Sequence, residues 1–549
     1  MRRKVLHYNW AQCDDPQGRG GGVSVYLRNL LDHAAGRDGT DYVLLSAGQH
    51  YAPVDRRLRW VPTDNVFAQR GVRSFRILNS PVKAPAHDMF AAIRLWRTDR
   101  AIARTFARFL KAEGPFETVV FHSMEGISSE VLALRERFPG TRFVYMWHNY
   151  MPLCPQIELL HQNREDCRDF DGGAKCVGCL SHLPDRGALI RAQRLGSALE
   201  LGGHAGRPQG NFAFGFAMAL FQAARALRFL ALDLRAGLRN GFAGWRRARP
   251  GLGGFRPIDP EAEGPPPGGE DGGALARQAA DYRLWREVNR DLLNRFDAHW
   301  AVSDLVAETI AGFGIDRARI RVTPLAMDIH ATPAVIRARY RAKPESDRLR
   351  LSFIGYGIPS KGLPFLTQAL TETDLPLLRD RAEMTVYARL DAHQKARLAP
   401  LARRFAAFRI VDGYDRSQIA RLARVTDLNI VPSIWRETFN QVAYEMLCLG
   451  TPSLVSSSTG FGMFLADAPD FVFASGDAVD FRRKLMALVE DPGRIARFLQ
   501  AAPALPDMAA HIARLDPAAR PENLVRLPPR RPQPAQPADP APARQEIGA

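Results

Sequence analysis

Cysteine is scarce in this chain, with six among 549 residues and four of those six between positions 154 and 179. That scarcity excludes a small secreted domain stapled by disulfides and fits a reducing compartment. Acidic residues are also outnumbered, 58 Asp and Glu against 75 Lys and Arg, which leaves a formal net charge of +17. The excess is dispersed, and no basic stripe coincides with a recognisable nucleic-acid module, so nucleic acid is not expected as a partner. A peripheral contact with an anionic membrane stays open, as does a basic composition without functional meaning. No apolar run of signal-peptide length follows Met1-Arg2-Arg3-Lys4, and Val5-Leu6-His7-Tyr8 reads instead as a first buried strand. A cytoplasmic protein is therefore expected, with the inner face of the plasma membrane left open.

What is present is a globular composition, 46% hydrophobic and 24% charged, over a length too great for one ordinary core. Residues 1–180 alternate strand-like and helix-like segments. Strands are expected at 5–8, 42–46, 118–122 and 143–147, and helices at 23–34, 88–112 and 126–138. A second such series over 291–500 has strands at 299–302, 320–322, 351–354, 384–387, 408–411, 428–431 and 453–455. The pattern predicts an α/β protein with two Rossmann-like, doubly wound domains facing a cleft. Between them, 181–290 reads as an insertion: 212–245 is helical in composition and 250–273 is a Gly/Pro-rich acidic linker. The apolar stretch 212–232 is broken by Gln222, Arg225 and Arg228, which suits a helix lying on a membrane surface or packed on its own protein better than a membrane span. Residues 501–515 form a return segment, and 516–549, dominated by Pro, Ala and Arg, should be disordered.

The most informative segment is Glu437-Thr438-Phe439-Asn440-Gln441-Val442-Ala443-Tyr444-Glu445, which follows the strand-like Leu428-Asn429-Ile430-Val431 and a Pro432-Ser433 turn. A helix starting near Asn440 and stopped by a left-handed Gly450 would put Glu437 at the carboxyl end of a strand, where open α/β sheets bind ligands. Glu445 would lie on that helix at most about 12 Å away. Such a pair could accept hydrogen bonds from a hexose and from a ribose. Glu437 serving only the electrostatics of a helix N-terminus remains open; Glu445 sits among too many apolar residues to be a solvated surface group.

This segment resembles the Glu-x7-Glu region of glycosyltransferase family 4, whose members have the GT-B fold and move a sugar from a nucleotide diphosphate to a hydroxyl with retention. The resemblance places Glu437 at the donor sugar and Glu445 at the ribose, with Phe439 and Asn440 also at the donor. Gly355-Tyr356-Gly357-Ile358-Pro359-Ser360-Lys361-Gly362 is similar to the family's Gly-Arg-x4-Lys-Gly segment, in which the cations neutralise the diphosphate. Lys361 and Gly362 match. The Arg position is Tyr356, which leaves Arg389 and Arg436 as candidates for the missing charge. The glycine loop Gly18-Arg19-Gly20-Gly21-Gly22 before the first helix resembles the family's donor-side loop, with Gly21 and Gly22 offering backbone N–H groups to phosphate or forming only a flexible turn. Gly413, in Val411-Asp412-Gly413-Tyr414, resembles the base-contacting turn, and 456–462 the loop whose amides meet phosphate. His148, at the end of a strand, corresponds to a family histidine near the transferred sugar; His122 and His7 also end strands.

Cys154, Cys167, Cys176 and Cys179 finish in a Cys-x2-Cys pair and supply four thiolates for a structural zinc, with two disulfides or four unlinked thiols as the other readings. Asp169-Phe170-Asp171 superficially resembles the Asp-x-Asp metal site of the other glycosyltransferase fold, but charged residues precede it where an apolar strand is needed, so no catalytic metal is expected. The resemblance implies a nucleotide diphosphate sugar donor and a glycan or lipid-linked acceptor, in cell-surface polysaccharide or glycolipid synthesis. A sugar-nucleotide epimerase of the same fold and a non-catalytic sugar-nucleotide-binding protein are the rival readings.

Overall fold

The structure is a computed structural model that describes residues 2–15, 18–180, 185–201 and 272–515. The expected helix at 212–245, nearly all of the 250–273 linker and the Pro/Ala/Arg tail lie outside the described residues.

Two sheets organise the chain. The first runs β10-β9-β6-β5-β1-β2-β4-β3, with β1 Arg3–Tyr8, β2 Thr40–His50, β3 Arg59–Thr63, β4 Arg73–Leu78, β5 Thr118–Phe121, β6 Arg142–Trp147, β9 Ala298–Ala301 and β10 Ile320–Val322. A two-residue hairpin, β7 Leu160–His161 and β8 Glu165–Asp166, stands apart. The second sheet runs β13-β12-β11-β14-β15-β16, with β11 Leu349–Ile354, β12 Ala382–Ala388, β13 Ala407–Asp412, β14 Leu428–Val431, β15 Ser453–Ser456 and β16 Val472–Phe473. Every pairing is parallel except β3 with β4 and the small hairpin. The central strands β5 and β14 are buried along their whole length, as continuous apolar runs in parallel sheets require. Asn429, the polar exception in β14, is satisfied across three strands by Ser352 Oγ and Ser453 Oγ, each at 3.2 Å.

Both sheets have a switch point, where the chain leaves a central strand in opposite directions. In the first sheet it lies between β1 and β5; in the second, between β11 and β14. Ligands of open α/β sheets bind in the crevice outside such points. The glycine loop after β1, the Lys361 loop after β11 and the Glu437 loop after β14 all emerge there.

The pairing corrects one expectation. Strands near 299 and 320 read as the opening of the second domain, yet β9 pairs with β6 and β10 with β9, so they extend the first sheet. The chain enters the second sheet only at β11. The expected helix over 88–112 is likewise divided into 3-10 turns Ala86–Ala92 and helices Ile93–Thr98 and Arg100–Glu113. Asp99 makes the break by accepting the N–H of Ile102 at 2.9 Å as the cap of the second helix. The C-terminal helix Met508–Leu515 returns to the first domain, where His511 Nε2 lies 2.8 Å from Tyr26 Oη.

Candidate active site

The loop after β14 carries Glu437 into the crevice and fixes it from both sides. Its amide donates to Ser458 O at 2.8 Å, and its carbonyl accepts from Gly460 N at 2.8 Å. The carboxylate is buried, 4% exposed, with one oxygen on Lys361 Nζ and the other on Ser433 Oγ. Lys361 comes from the loop after β11 and lies 5.6 Å from the centre of the Trp435 ring. A buried carboxylate and an ammonium from two neighbouring strand ends thus share one point of the crevice.

Gly362 makes that meeting sterically feasible. It has φ of +77°, and a Cβ there would lie 1.7 Å from Pro432 O, so the two loops touch backbone to backbone. Beyond Glu437, Asn440 adopts φ of +75° and caps the helix Gln441–Cys448 through its side chain, which accepts from Ala443 N at 2.8 Å. Gly450, at φ +82°, ends that helix in the expected left-handed conformation.

Glu445 is buried on the same helix and is held by Arg416, whose Nε and Nη2 donate to Oε1 at 3.0 and 2.6 Å. The same guanidinium also bonds Asp328 at 2.6 Å. Burial raises the carboxyl's pKa, and the charge of Arg416 opposes the rise.

On the opposite wall, helix α1, Gly21–Ala34, starts on the glycine loop without a capping side chain, and its Gly21 amide donates to Gly18 O at 3.2 Å. Gln441 Nε2 donates to Gly22 O at 2.8 Å, so the starts of α1 and of the Gln441 helix are adjacent. Both direct the positive ends of their dipoles toward the crevice, a pairing suited to an anion.

Three histidines, one in β1 and one just past each of β5 and β6, line up behind this wall. His7 Nδ1 lies 2.9 Å from His122 Nε2, and His122 Nδ1 lies 3.0 Å from His148 Nε2. Burial holds all of them neutral near pH 7, with the His148 pKa lowered to about 3 and His7 to about 4. The carbonyl of His148 accepts from Thr438 Oγ1 at 2.9 Å, which links the row to the residue beside Glu437.

A loop of the first domain crosses to the second. Glu158 Oε1 accepts from Ser360 Oγ at 3.1 Å, one residue before Lys361. Burial raises its pKa to about 7, with Lys361 pulling it down and Glu437 pushing it up. Asp166, on β8, holds Arg436 in a two-pronged pair at 2.7 and 2.9 Å. Although burial pushes the Asp166 carboxyl up, its bonds to Arg436 bring it below the usual range.

Against this geometry, the comparisons with known proteins are informative. Residues 276–514 match the family described as Family 4 Glycosyltransferase in conflict systems. Among solved structures, sucrose-phosphate synthase from Thermosynechococcus elongatus is similar at 14% identity and a TM-score of 0.51, over 94% of this chain and 98% of that one. HepE of Anabaena in complex with UDP and glucose has 13% identity and a TM-score of 0.46, over 93% and 98%. The UDP-forming α,α-trehalose-phosphate synthase of Burkholderia vietnamiensis has 12% identity and a TM-score of 0.48, over 94% and 96%. No curated protein matches the chain. Residues 276–514 are thus similar to family 4 glycosyltransferases, and the fold of the chain is GT-B.

In this glycosyltransferase the structure brings Glu437, Lys361 and Gly362 together and places Gly22 beside Gln441. Three other expected residues have their side chains engaged elsewhere. Phe439 points into the core against Tyr444 and Phe464. Asn440 is committed to its cap. Arg436 is committed to Asp166, which leaves the exposed Arg389, packed beside Gly413, as the remaining substitute for the arginine missing at Tyr356. Helix α1 begins two residues earlier than expected, so Gly21 and Gly22 form its first turn rather than a preceding loop. Sequence reasoning missed Glu158, Asp166 and Arg416. Only Arg416 carried a signal, a cation shortly after the Gly413 turn. Among the described residues no helix is long and apolar enough to cross a membrane.

Proposed function

We propose that this glycosyltransferase transfers a hexose from a nucleotide diphosphate sugar to a hydroxyl acceptor, with retention at the anomeric carbon. The observation that carries the reading is the Lys361–Glu437 pair at the β11/β14 switch point, a cation for the departing diphosphate held by a carboxylate for the sugar. Charge accumulates on the diphosphate as the glycosidic bond breaks, so a prepositioned ammonium and the N–H group at Gly22 stabilise the transition state more than the ground state. Glu437 accepts from the sugar hydroxyls, Glu445 from the ribose, and the Gly413 turn contacts the base. His148, neutral and buried behind the sugar position, offers its ring and its strand-end backbone rather than a charge. The reading assigns leaving-group stabilisation to these groups, without a catalytic metal. UDP and UDP-glucose, named for the HepE complexes, are the first donors to try.

The acceptor we propose is a glycan or lipid-linked hydroxyl in cell-surface polysaccharide or glycolipid synthesis, met at the inner face of an anionic membrane. The matched family's description names conflict systems and favours a second reading, in which the acceptor lies outside envelope synthesis. An acceptor panel in which lipid-linked glycans give no product would select the latter.

A thermal-shift screen of nucleotide sugars tests the donor assignment. The true donor at about one hundred times its Kd is expected to stabilise the fold by about 2.7 kcal/mol, whereas no stabilisation by any nucleotide sugar would overturn the reading.

Glu158 adds a pH dependence. Its pKa near 7 makes it neutral in mild acid and negative in mild base, beside Lys361 and the expected diphosphate. Donor KM is therefore expected to rise about threefold to tenfold from about pH 6 to pH 8, and Glu158→Gln to flatten that rise. A profile unchanged in the variant would remove Glu158 from the donor site.

A further inference from the structure

Four thiols of one loop share a small enclosed space. Cys154, Cys167, Cys176 and Cys179 are buried, unbonded to one another, and line with His161 a cavity of about 10 Å³. That is room for roughly one water-sized or ion-sized occupant. Among the described residues, no three His, Cys, Asp or Glu side chains stand in ligating positions as they lie. Ligation would therefore require side-chain rotations within the cavity the thiols already share.

Burial disfavours charged sulfur at all four positions, and a few fixed donors oppose it. Amide N–H groups of Gln156 and Leu159 face the Cys154 sulfur, and that of Gln162 faces the Cys179 sulfur. Arg286, on the long helix Gly272–Leu293, donates Nη2 to Cys176 Sγ at 3.2 Å while its guanidinium lies over the Phe170 ring. Four thiolates around a divalent ion carry a net charge of about 2−, which amide donors and one fixed guanidinium offset as outer partners of the ligands. His161 Nδ1, on the same cavity, is buried without a hydrogen-bond partner.

The loop also needs something to hold it. Ile157, Leu159, Gln162, Asn163 and Asp171 have φ of 72°, 53°, 51°, 60° and 47°, and Ile157 is a β-branched residue for which this region is strongly unfavourable. Such a conformation persists only where the surroundings over-determine it. The hydrogen-bonded ladder available is the two-residue hairpin of β7 and β8.

We propose that this loop closes around one Zn²⁺ held by the thiolates of Cys154, Cys167, Cys176 and Cys179, with Arg286 as the outer counter-charge. Binding replaces four thiol protons, released to solvent, by four Zn–S bonds. Four sulfurs leave no position for water, so the ion is structural. Its function is to order the segment from which Glu158 reaches Ser360 and Asp166 reaches Arg436.

The test uses the full-length protein purified without added metal. Elemental analysis is expected to find one zinc per chain, released when a mercurial reagent titrates the thiols in the presence of a metallochromic dye. The double variant Cys176→Ser/Cys179→Ser should lose the zinc, and trypsin should cut at Arg164, Arg168 and Lys175 at least about tenfold faster. Cys13→Ser/Cys448→Ser, outside the cluster, should keep it. Wild-type protein whose four thiols react without releasing metal would overturn the proposal even if the double variant fails to fold. So would disulfides found by mass, or iron with acid-labile sulfide in place of zinc.

Discussion

Glu437→Gln is expected to lower the transfer rate by about 10²–10³-fold, the usual effect of removing one prepositioned charged group from a transition state, while leaving the fold intact. The amide keeps the shape of the side chain and can still accept from Ser433 Oγ. It cannot neutralise Lys361, so the ammonium loses the charge that aims it along the crevice. Some stability should be lost, because the carboxylate of this pair is buried, but Lys361 still reaches solvent and is not left as a fully buried unpaired charge. Single-turnover kinetics at saturating donor separate this outcome from weakened binding: the rate of the chemical step should fall while donor affinity stays within a few-fold. A variant retaining more than half of the wild-type rate would remove Glu437 from the reacting centre.

Gly362→Ala is expected to damage both stability and turnover. The new Cβ would stand 1.7 Å from Pro432 O and 2.4 Å from Pro432 C, and backbone on both sides leaves no flexible side chain to yield. The loops after β11 and β14 must separate, and Lys361 moves with the first of them. The positive φ alone costs about 1–3 kcal/mol for a non-glycine residue. Gly476 supplies the control, since its φ of +75° is nearly the same and nothing lies within 4 Å of a Cβ there. Melting temperatures should fall more in Gly362→Ala than in Gly476→Ala, and only the former should lose transfer, by at least about tenfold. Equal losses in the two variants would mean that conformational strain, not the contact between loops, is what Gly362 relieves.

Much of this architecture was legible in the residues because parallel sheets write themselves as short, continuous apolar runs separated by helices. Leu428-Asn429-Ile430-Val431, Ser453 to Val455 and Leu351 to Ile354 each became strands at the expected places. What the runs do not carry is which neighbour they choose. Ala298–Ala301 looks like any buried strand, and its membership of the first sheet depends on pairing with Arg142–Trp147, more than 150 positions earlier. The edge strand Arg59–Thr63 escaped notice because Pro62 interrupts its pattern, a residue tolerated only at an edge. The active site divides in the same way. Glu437, Glu445 and Lys361 announce themselves through local spacing. Their partners Arg416, Ser433 and Glu158 lie in turns and an irregular loop, where a polar side chain has no period to betray its direction.

The contacts of Asp166 with Arg436 and of Glu158 with Ser360 join the two halves of the molecule at the rim of the crevice. Any hinge motion that admits a bulky donor or releases spent nucleotide must break both joints and then remake them. Opening is therefore coupled to the loop that carries Glu158 and Asp166, and a mutation elsewhere in that loop, away from the Glu437 carboxylate, is expected to change the pace of turnover.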